Sequence, residues 1–416
     1  MSQPAPILTV SPGAASSFLP RLESLRGLAA MTVALAHSFR AFPGGANESG
    51  LALAADRVFN GNAAVTLFFV LSGYVLGLGL LHAGAFQWST WRAFAVRRLF
   101  RIYPVLLLST AVIALCLWGS ASWGWPLPAW FGAADGYRST MLHPASPPGL
   151  GTILGNVLLW TPTMNQVTWT LGIELRCSLL LPLLHAGSLR LSPRGRLLLL
   201  LSLVALAGIP KWCLLAGALP AEAAASLVHN AFSGYLFLFY LGYLIRDQVD
   251  AFRNLAARRP LAASALPWLS LLVLLGADAL GDDLRILQGL GAAALIGGLV
   301  AVPAQRLLPG LDGSVARFYG RISYSFYVWH DLVLIVLARV VAHVLPGATL
   351  SAWSLALGMA TLLASVALTT GLASLSFRWV EVPFQRWSKR LTARPLPVPA
   401  QDTVPGLPAP PPARAA

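Results

Sequence analysis

The chain has 416 residues, of which 56% are hydrophobic and only 11% are charged, and its formal net charge at pH 7 is +14. An ordinary soluble domain is closer to an even mix of apolar and polar residues and could not bury so much apolar surface. The composition therefore excludes a single water-soluble domain and favours a membrane protein.

Apolar windows close to 20 residues long predict about ten transmembrane helices. The predicted spans lie at 25–42, 61–82, 99–119, 167–187, 196–217, 229–246, 261–279, 285–303, 320–343 and 352–377. The first span is the least apolar, because His37 and Arg40 interrupt it. The predicted fold class is all-α, a polytopic integral membrane protein.

Arginine and lysine residues test this topology, because they collect in the cytoplasmic loops of membrane proteins. With ten spans, most of the 29 basic residues fall near the two termini and in every second connection. The pattern predicts that both termini are cytoplasmic. It also explains the net charge without nucleic acid, since the basic residues lie in short loops and not on a soluble face with interleaved aromatic residues.

The two ends of the chain differ in composition from the membrane region. Residues 1–20 are predicted to form a disordered cytoplasmic tail, and the Pro/Ala-rich residues 391–416 a second one. The membrane domain is expected between them, at 21–390. The stretch 120–166 is too apolar for a plain linker, so we expect it to fold back against the outer mouth of a site, with a partly inserted helix at 150–160.

An arginine and a histidine share the first predicted span. Arg26 and His37 are eleven residues apart, a spacing that puts both side chains on the same helical face. Ionisable groups inside a bilayer are expensive and are usually functional. The plain alternative is a snorkelling arginine with a histidine that serves helix packing.

A pair of arginines lies at the start of the third predicted span. Arg98 and Arg101 are three residues apart, so they are neighbours on one helical face at a cytoplasmic entrance. Paired guanidinium groups donate in a plane and stay charged, which suits phosphate groups. A cluster that sets topology and binds lipid head groups explains the same spacing equally well.

Two further polar side chains lie inside predicted spans. Ser72 lies beside Gly73, where small residues often serve close helix packing in lipid. Glu174 is a carboxylate early in its span, and a buried carboxylate usually has a partner. The candidates for that partner are Arg176, a histidine on another span, and bound substrate hydroxyls.

A second histidine, His330, lies roughly 15 Å into its span by the helical rise per residue. His37 reaches a comparable depth from the same face. Two such histidines could form a proton relay, a catalytic base with a support, or a metal pair. Metal binding is the weakest of the three, because no helical His/Glu ligand motif accompanies either histidine.

Six motifs, taken in order, resemble those of the acyltransferase type 3 family of membrane O-acyltransferases. They are Arg21-x-Glu23-Ser24-Leu25-Arg26-Gly27 with His37, Phe68-Phe69-Val70-Leu71-Ser72-Gly73-Tyr74, Arg97-Arg98-x-x-Arg101-Ile102-Tyr103-Pro104, Trp169-Thr170-Leu171-x-x-Glu174, Ser323-Tyr324-Ser325-x-Tyr327-x-Trp329-His330 and Glu381-x-Pro383-Phe384. Each motif alone is weak, but their shared order is specific. The resemblance covers roughly residues 20 to 390.

The resemblance implies a ten-helix membrane domain that takes an acyl group, commonly acetyl, from cytoplasmic acyl-CoA. The acceptor it implies is a hydroxyl of a surface or exported carbohydrate or a glycolipid. Carried onto this sequence, His37 is the expected general base with Arg26 as its arginine partner, and Glu174 is a third expected catalytic residue. Arg98 and Arg101 are the pair expected at the CoA end.

The remaining expectations concern substrates and location. The expected substrate-binding residues are Ser72, Tyr74, Trp169, Tyr324 and His330. Acyl-CoA, most simply acetyl-CoA, is expected as the donor substrate, with no permanently bound cofactor and no metal. The expected surroundings are the lipids of a bacterial inner membrane, and the oligomeric state stays open.

Two functions from other classes compete with acyl transfer. A transporter or flippase of a glycan or lipid-linked precursor also has many spans with buried charge. It predicts internal repeats with interrupted helices, and we find no convincing repeat in the sequence. A membrane sensor that binds acyl-CoA or lipid without turnover would keep the arginine pair and tolerate the loss of His37.

Overall fold

The computed structural model describes residues 12–41, 58–80, 86–124, 147–216, 232–277, 284–302, 308–344 and 354–392. All regular elements in these ranges are helical. The α-helices are α1 (Pro12–Arg40), α2 (Gly61–Gly79), α3 (Trp88–Ser122), α4 (Leu150–Val157), α5 (Thr168–Ser188), α6 (Pro193–Leu215), α7 (Ser233–Arg258), α8 (Pro260–Gly276), α9 (Arg285–Ala301), α10 (Ser314–Val344), α11 (Ser354–Ser376) and α12 (Val382–Leu391). A 3-10 turn at Pro309–Asp312 precedes α10, and a π-helical turn at Phe377–Glu381 joins α11 to α12.

The helices support an integral membrane protein. Four stretches in the described ranges are long and apolar enough to cross a membrane: Gly61–Gly79, Trp88–Ser122, Ser314–Val341 and Met359–Leu391. Helices α8 and α9 are apolar but shorter, with 17 residues each. Every predicted span overlaps a helix. The number of ten crossings and the cytoplasmic placement of the termini stay predictions.

Some helix bounds differ from the predicted ones. Helix α1 begins at Pro12, inside the segment predicted as a disordered tail; proline suits a first helical position because its φ is preset. Helix α3 begins at Trp88, eleven residues before the predicted span. The helix predicted at 150–160 is present as α4. The predicted C-terminal tail lies outside the described residues from 393 onward.

Small residues bring helix backbones together in the core. Helix α2 packs along α7, and α1 packs along α10. A Cβ added at Gly73 would meet the backbone of Phe239, and one added at Gly242 would meet the backbone of Val70. Such close approach is typical of helices that associate in lipid, where van der Waals packing replaces the hydrophobic effect.

Helix α6 presents large apolar side chains to the outside. This is the opposite of the polar exterior of a soluble helix, and it suits contact with lipid tails. The exposed side chains of this helix include Leu197, Leu198, Leu201, Ile209 and Trp212. The high apolar content of the sequence is therefore used on the surface as well as in the core.

Candidate active site

Helices α1 and α10 position the two histidines. Their backbones approach at Gly27 and Gly320, where a Cβ on either glycine would collide with the backbone of the other helix. His37 follows Gly27 by ten residues, and His330 follows Gly320 by ten residues. With a rise of about 1.5 Å per residue, both histidines lie about 15 Å beyond the glycine crossing. Equal spacing on two parallel helices thus brings them to the same level.

The histidines form a hydrogen-bonded pair. His37 Nδ1 lies 3.1 Å from His330 Nε2, and the rings are stacked with centroids 5.2 Å apart. His330 Nδ1 donates to the carbonyl oxygen of Tyr327 at 2.6 Å. His330 is only 2% exposed, whereas His37 is partly exposed. One ring is therefore anchored to the backbone, and the other is accessible.

The part of the chain that the structure describes contains no group of three or more His, Cys, Asp or Glu side chains that could hold a metal ion. The two ring nitrogens of the histidine pair face each other at hydrogen-bonding distance, which suits a proton relay or a base with a support.

A cavity opens between α1, α2, α5 and α10, with about 450 Å³ of empty space that includes its open mouth. Apolar walls with a few polar groups are typical of small-molecule sites. Its polar lining includes Arg26, Ser72, Thr170, Glu174, Tyr324 and Tyr327. The cavity therefore brings together two residues predicted as catalytic, Arg26 and Glu174, and two predicted as substrate contacts, Ser72 and Tyr324.

Tyr327 joins the cavity to the histidine pair. Its ring lines the cavity, and its hydroxyl accepts a hydrogen bond from Thr170 Oγ1 at 3.0 Å. Its carbonyl oxygen accepts from His330, one helical turn along α10. The cavity and the histidine pair are therefore adjacent along α10 and belong to one site.

Glu174 pairs with Arg98 and not with Arg176 or a histidine. Arg98 Nη2 lies 2.5 Å from Glu174 Oε1, and Arg98 Nε donates to Ser178 Oγ at 3.2 Å. Arg176 instead donates to the carbonyl oxygen of Leu159 at 2.8 Å. The carboxylate predicted to await a partner is thus already compensated by an arginine of another helix.

The structure adds burial and a partner to the predicted position of Arg98. Arg98 is only 7% exposed and lies ten residues after the start of α3. Hydropathy alone starts the span at residue 99, after Arg98, because charged side chains break the apolar window. The carboxylate of Glu174 compensates the charge of Arg98, so this arginine can lie within the buried part of the helix.

Arg101 has a different environment from Arg98, although the sequence predicts a pair. Its Nη1 lies 3.7 Å from Glu381 Oε1, which is longer than a hydrogen bond, and its guanidinium lies over the ring of Tyr324 at 5.8 Å. Glu381 accepts shorter bonds from Ser325 Oγ at 2.7 Å and Gln385 Nε2 at 3.0 Å. Arg101 is therefore held less tightly than Arg98.

Sequence reasoning missed Glu381 as a site residue. This carboxylate is 1% exposed and ends the π-helical turn Phe377–Glu381, a feature frequent at functional sites. The signal that could have found it was the motif Glu381-x-Pro383-Phe384, which contributes to the family resemblance but was given no role in the site.

Two predicted substrate residues do not line the cavity, and His37 contacts another histidine. Tyr74 is buried in the hydrophobic core, and Trp169 packs against the ring of Tyr235 with centroids 5.6 Å apart; neither is among the residues that line the cavity. Arg26 lines the cavity about 16 Å from His37 along α1. The contact partner of His37 is therefore His330 and not Arg26.

The acyltransferase domain that defines the type 3 family matches residues 19–370. The chain belongs to this acyltransferase family. The match runs from α1 into α11 and contains the histidine pair, the cavity and the Arg98–Glu174 pair, whereas Glu381 follows it. This acyltransferase is a membrane protein that requires an acyl donor and an acceptor. No curated protein and no solved structure matches the chain.

Proposed function

We propose that this acyltransferase moves an acyl group, most simply acetyl, from cytoplasmic acyl-CoA to a hydroxyl of a carbohydrate or glycolipid, with His37 as the general base. The observation that carries the proposal is the histidine pair beside a cavity lined by an arginine. Ten spans, cytoplasmic termini and a bacterial inner membrane belong to the same proposal.

The charges near the cavity favour an anionic donor. Three arginines, Arg26, Arg98 and Arg101, lie near two carboxylates, Glu174 and Glu381. Arg26 makes no hydrogen bond or ion pair with any other residue that the structure describes. Since a cation inside a membrane protein needs compensation, a phosphate group of acyl-CoA suits the surplus positive charge.

The contacts divide the arginines between two tasks. Arg98 is committed to Glu174 and Ser178, so it holds the wall of the site. Arg26 and Arg101 are the better candidates for the donor phosphates, because Arg26 lines the cavity and the contact of Arg101 with Glu381 is long, at 3.7 Å. Guanidinium groups suit phosphate because they donate several bonds in one plane.

The distance between the arginines and the histidines fits the donor. Arg26 and His37 are about 16 Å apart along α1. The pantetheine arm of CoA has a backbone comparable to that of about four extended residues, which reaches roughly 14 Å. A donor whose phosphates contact Arg26 and Arg101 would therefore present its thioester close to His37.

The reaction needs one base and no redox partner. The acceptor hydroxyl oxygen bonds to the thioester carbonyl carbon while the carbon–sulfur bond breaks. The hydroxyl proton passes to His37 and then to the departing sulfur, so the products are an ester and CoA thiol. Histidine suits this shuttle because it changes protonation state near neutral pH. The acceptor is proposed to enter past Trp169 and Glu174, on the side opposite to the donor.

The test uses the full chain reconstituted in lipid with radiolabelled acetyl-CoA, with and without a mixed cell-envelope glycan extract. We compare the unaltered protein with His37→Ala and with the matched control His343→Ala, an exposed histidine near the end of α10. Transfer of label to glycan should fall about 1000-fold in His37→Ala and stay unchanged in His343→Ala. Folding is checked by monodispersity and thermal unfolding.

The same assay separates the competing functions. Full activity of His37→Ala would contradict the assignment of the base. Binding of acetyl-CoA without transfer or hydrolysis would favour a sensor. Movement of a labelled lipid-linked glycan across the bilayer without acyl transfer would favour a flippase.

A further inference from the structure

We propose that His330 is a positioning residue that sets the tautomer of His37 and so makes His37 Nε2 the basic atom of the site. The catalytic consequence rests on the proposed function. The tautomer itself does not, because it follows from the contacts of the two rings.

The argument starts from the backbone. A carbonyl oxygen can only accept, so the 2.6 Å contact between His330 Nδ1 and the carbonyl of Tyr327 requires a proton on Nδ1. A neutral imidazole carries one ring proton, which leaves His330 Nε2 with a lone pair. Nε2 of this ring is therefore an acceptor.

The contact between the two rings then fixes the tautomer of His37. His37 Nδ1 lies 3.1 Å from His330 Nε2. Because the acceptor is His330 Nε2, the donor must be His37 Nδ1, and the lone pair of neutral His37 is then on Nε2. The hydrogen bond of one ring nitrogen decides which atom of a histidine acts as base.

The environment of His330 favours its neutral form. It is 2% exposed, and its described contacts are the backbone of Phe326 and Tyr327, the ring of Tyr327 and the ring of His37. None of these is a carboxylate, whereas a second ring proton would create a buried cation. Helix α10 also holds the ring rigidly, since the accepting carbonyl is one turn away on the same helix.

The arrangement would keep His37 oriented throughout the reaction. When Nε2 takes the hydroxyl proton, the Nδ1 proton stays bonded to His330, so the ring does not rotate and its positive charge is shared with a polar partner. His330 therefore acts through His37 and needs no contact with either substrate.

Two substitutions at one position separate this role from packing. In His330→Gln the amide oxygen can reach the former place of Nε2 and accept from His37. In His330→Asn the shorter amide reaches only the former place of Nδ1, so the bond to Tyr327 can survive while the bond to His37 is lost. The kcat should fall about 100-fold in the asparagine variant and less than about tenfold in the glutamine variant, with KM for acyl-CoA unchanged in both.

The direct readout is the tautomer, measured by ¹⁵N NMR of histidine-labelled full-length protein in lipid nanodiscs. The His37 signals are those that disappear in His37→Ala. We expect a protonated Nδ1 in the unaltered protein and in His330→Gln, and loss of this preference in His330→Asn. If the asparagine variant does not fold, the unaltered protein and His330→Gln still show which ring nitrogen of His37 carries the proton.

A protonated Nε2 on His37 in the unaltered protein would overturn the proposal, and so would equal kcat in the two variants. Failure of the proposed function would give a result different from these two. If the unaltered protein transfers no acyl group, the catalytic role is lost, but the NMR result still decides the tautomer.

Discussion

The two ends of the site hold polar side chains in different ways. At the arginine end, charges are balanced by carboxylates from other helices: Arg98 by Glu174 at 2.5 Å and Arg101, more loosely, by Glu381 at 3.7 Å. At the histidine end, two imidazole rings contact each other and a backbone carbonyl. Helices α1 and α10 contribute to both ends.

The difference follows from what each end must do. A site that holds an anionic donor needs permanent charge, and permanent charge inside a membrane protein needs counter-charges that keep the empty site stable. A site that moves a proton needs a group that can be neutral or charged with little cost. Substitutions should therefore affect stability and donor binding at the first end, and turnover at the second.

The largest effect on stability is expected from Glu174→Gln, which leaves Arg98 buried without its carboxylate. Loss of one partner of a buried ion pair costs about 3–5 kcal/mol. The control is Asp250→Asn, whose partner Arg253 lies on an exposed surface at 3.1 Å and whose loss should cost about 0–1 kcal/mol. Denaturant-induced unfolding in mixed micelles measures both, and equal destabilisation would contradict the special role of the Arg98–Glu174 pair.

A smaller loss of stability, combined with a loss of turnover, is expected from Gly27→Ala. The added Cβ would collide with the backbone of Gly320 and Tyr319, so α1 and α10 must separate at a cost of about 1–3 kcal/mol. Turnover should fall, because the histidine contact depends on the same pair of helices.

The control for this prediction is Gly208→Ala on α6, where an added Cβ meets nothing within 4 Å. Alanine should be neutral or stabilising there, since it favours helix by about 1 kcal/mol over glycine. Acyl transfer and thermal unfolding are measured for both variants. Unchanged transfer in Gly27→Ala would show that the glycine crossing does not set the histidine contact.

The smallest effect is expected from Arg101→Ala, and it should be confined to donor binding. The KM for acyl-CoA should rise about tenfold, equivalent to about 1.4 kcal/mol, with little change in kcat. Arg98→Ala should instead reduce stability, because it removes the ion-pair partner of the partly buried Glu174. Steady-state kinetics over a range of acyl-CoA concentrations compare the two, and equal KM changes without loss of stability would restore the predicted arginine pair.

Part of the site could be predicted because it depends on local patterns. Arg26, Ser72, Glu174 and Tyr324 were predicted from their motifs, and they line one cavity. The role of Glu381 was missed, because its burial depends on a π-helical turn and on Ser325 of another helix. Tyr74 was predicted as a substrate contact, but its place in the core depends on how α2 meets α7.

From the amino-acid sequence alone, hydropathy predicts a helical membrane protein, the ordered motifs indicate the acyltransferase family, and the ionisable residues inside apolar segments point to a candidate site. Hydropathy, helical spacing and motifs are properties of single segments, so they can be read along the chain. The partners of two site residues are visible only in the folded chain: His330 for His37 and Arg98 for Glu174. Those contacts depend on where helices cross, and the crossing at Gly27 and Gly320 is set by close backbone packing between segments almost 300 residues apart.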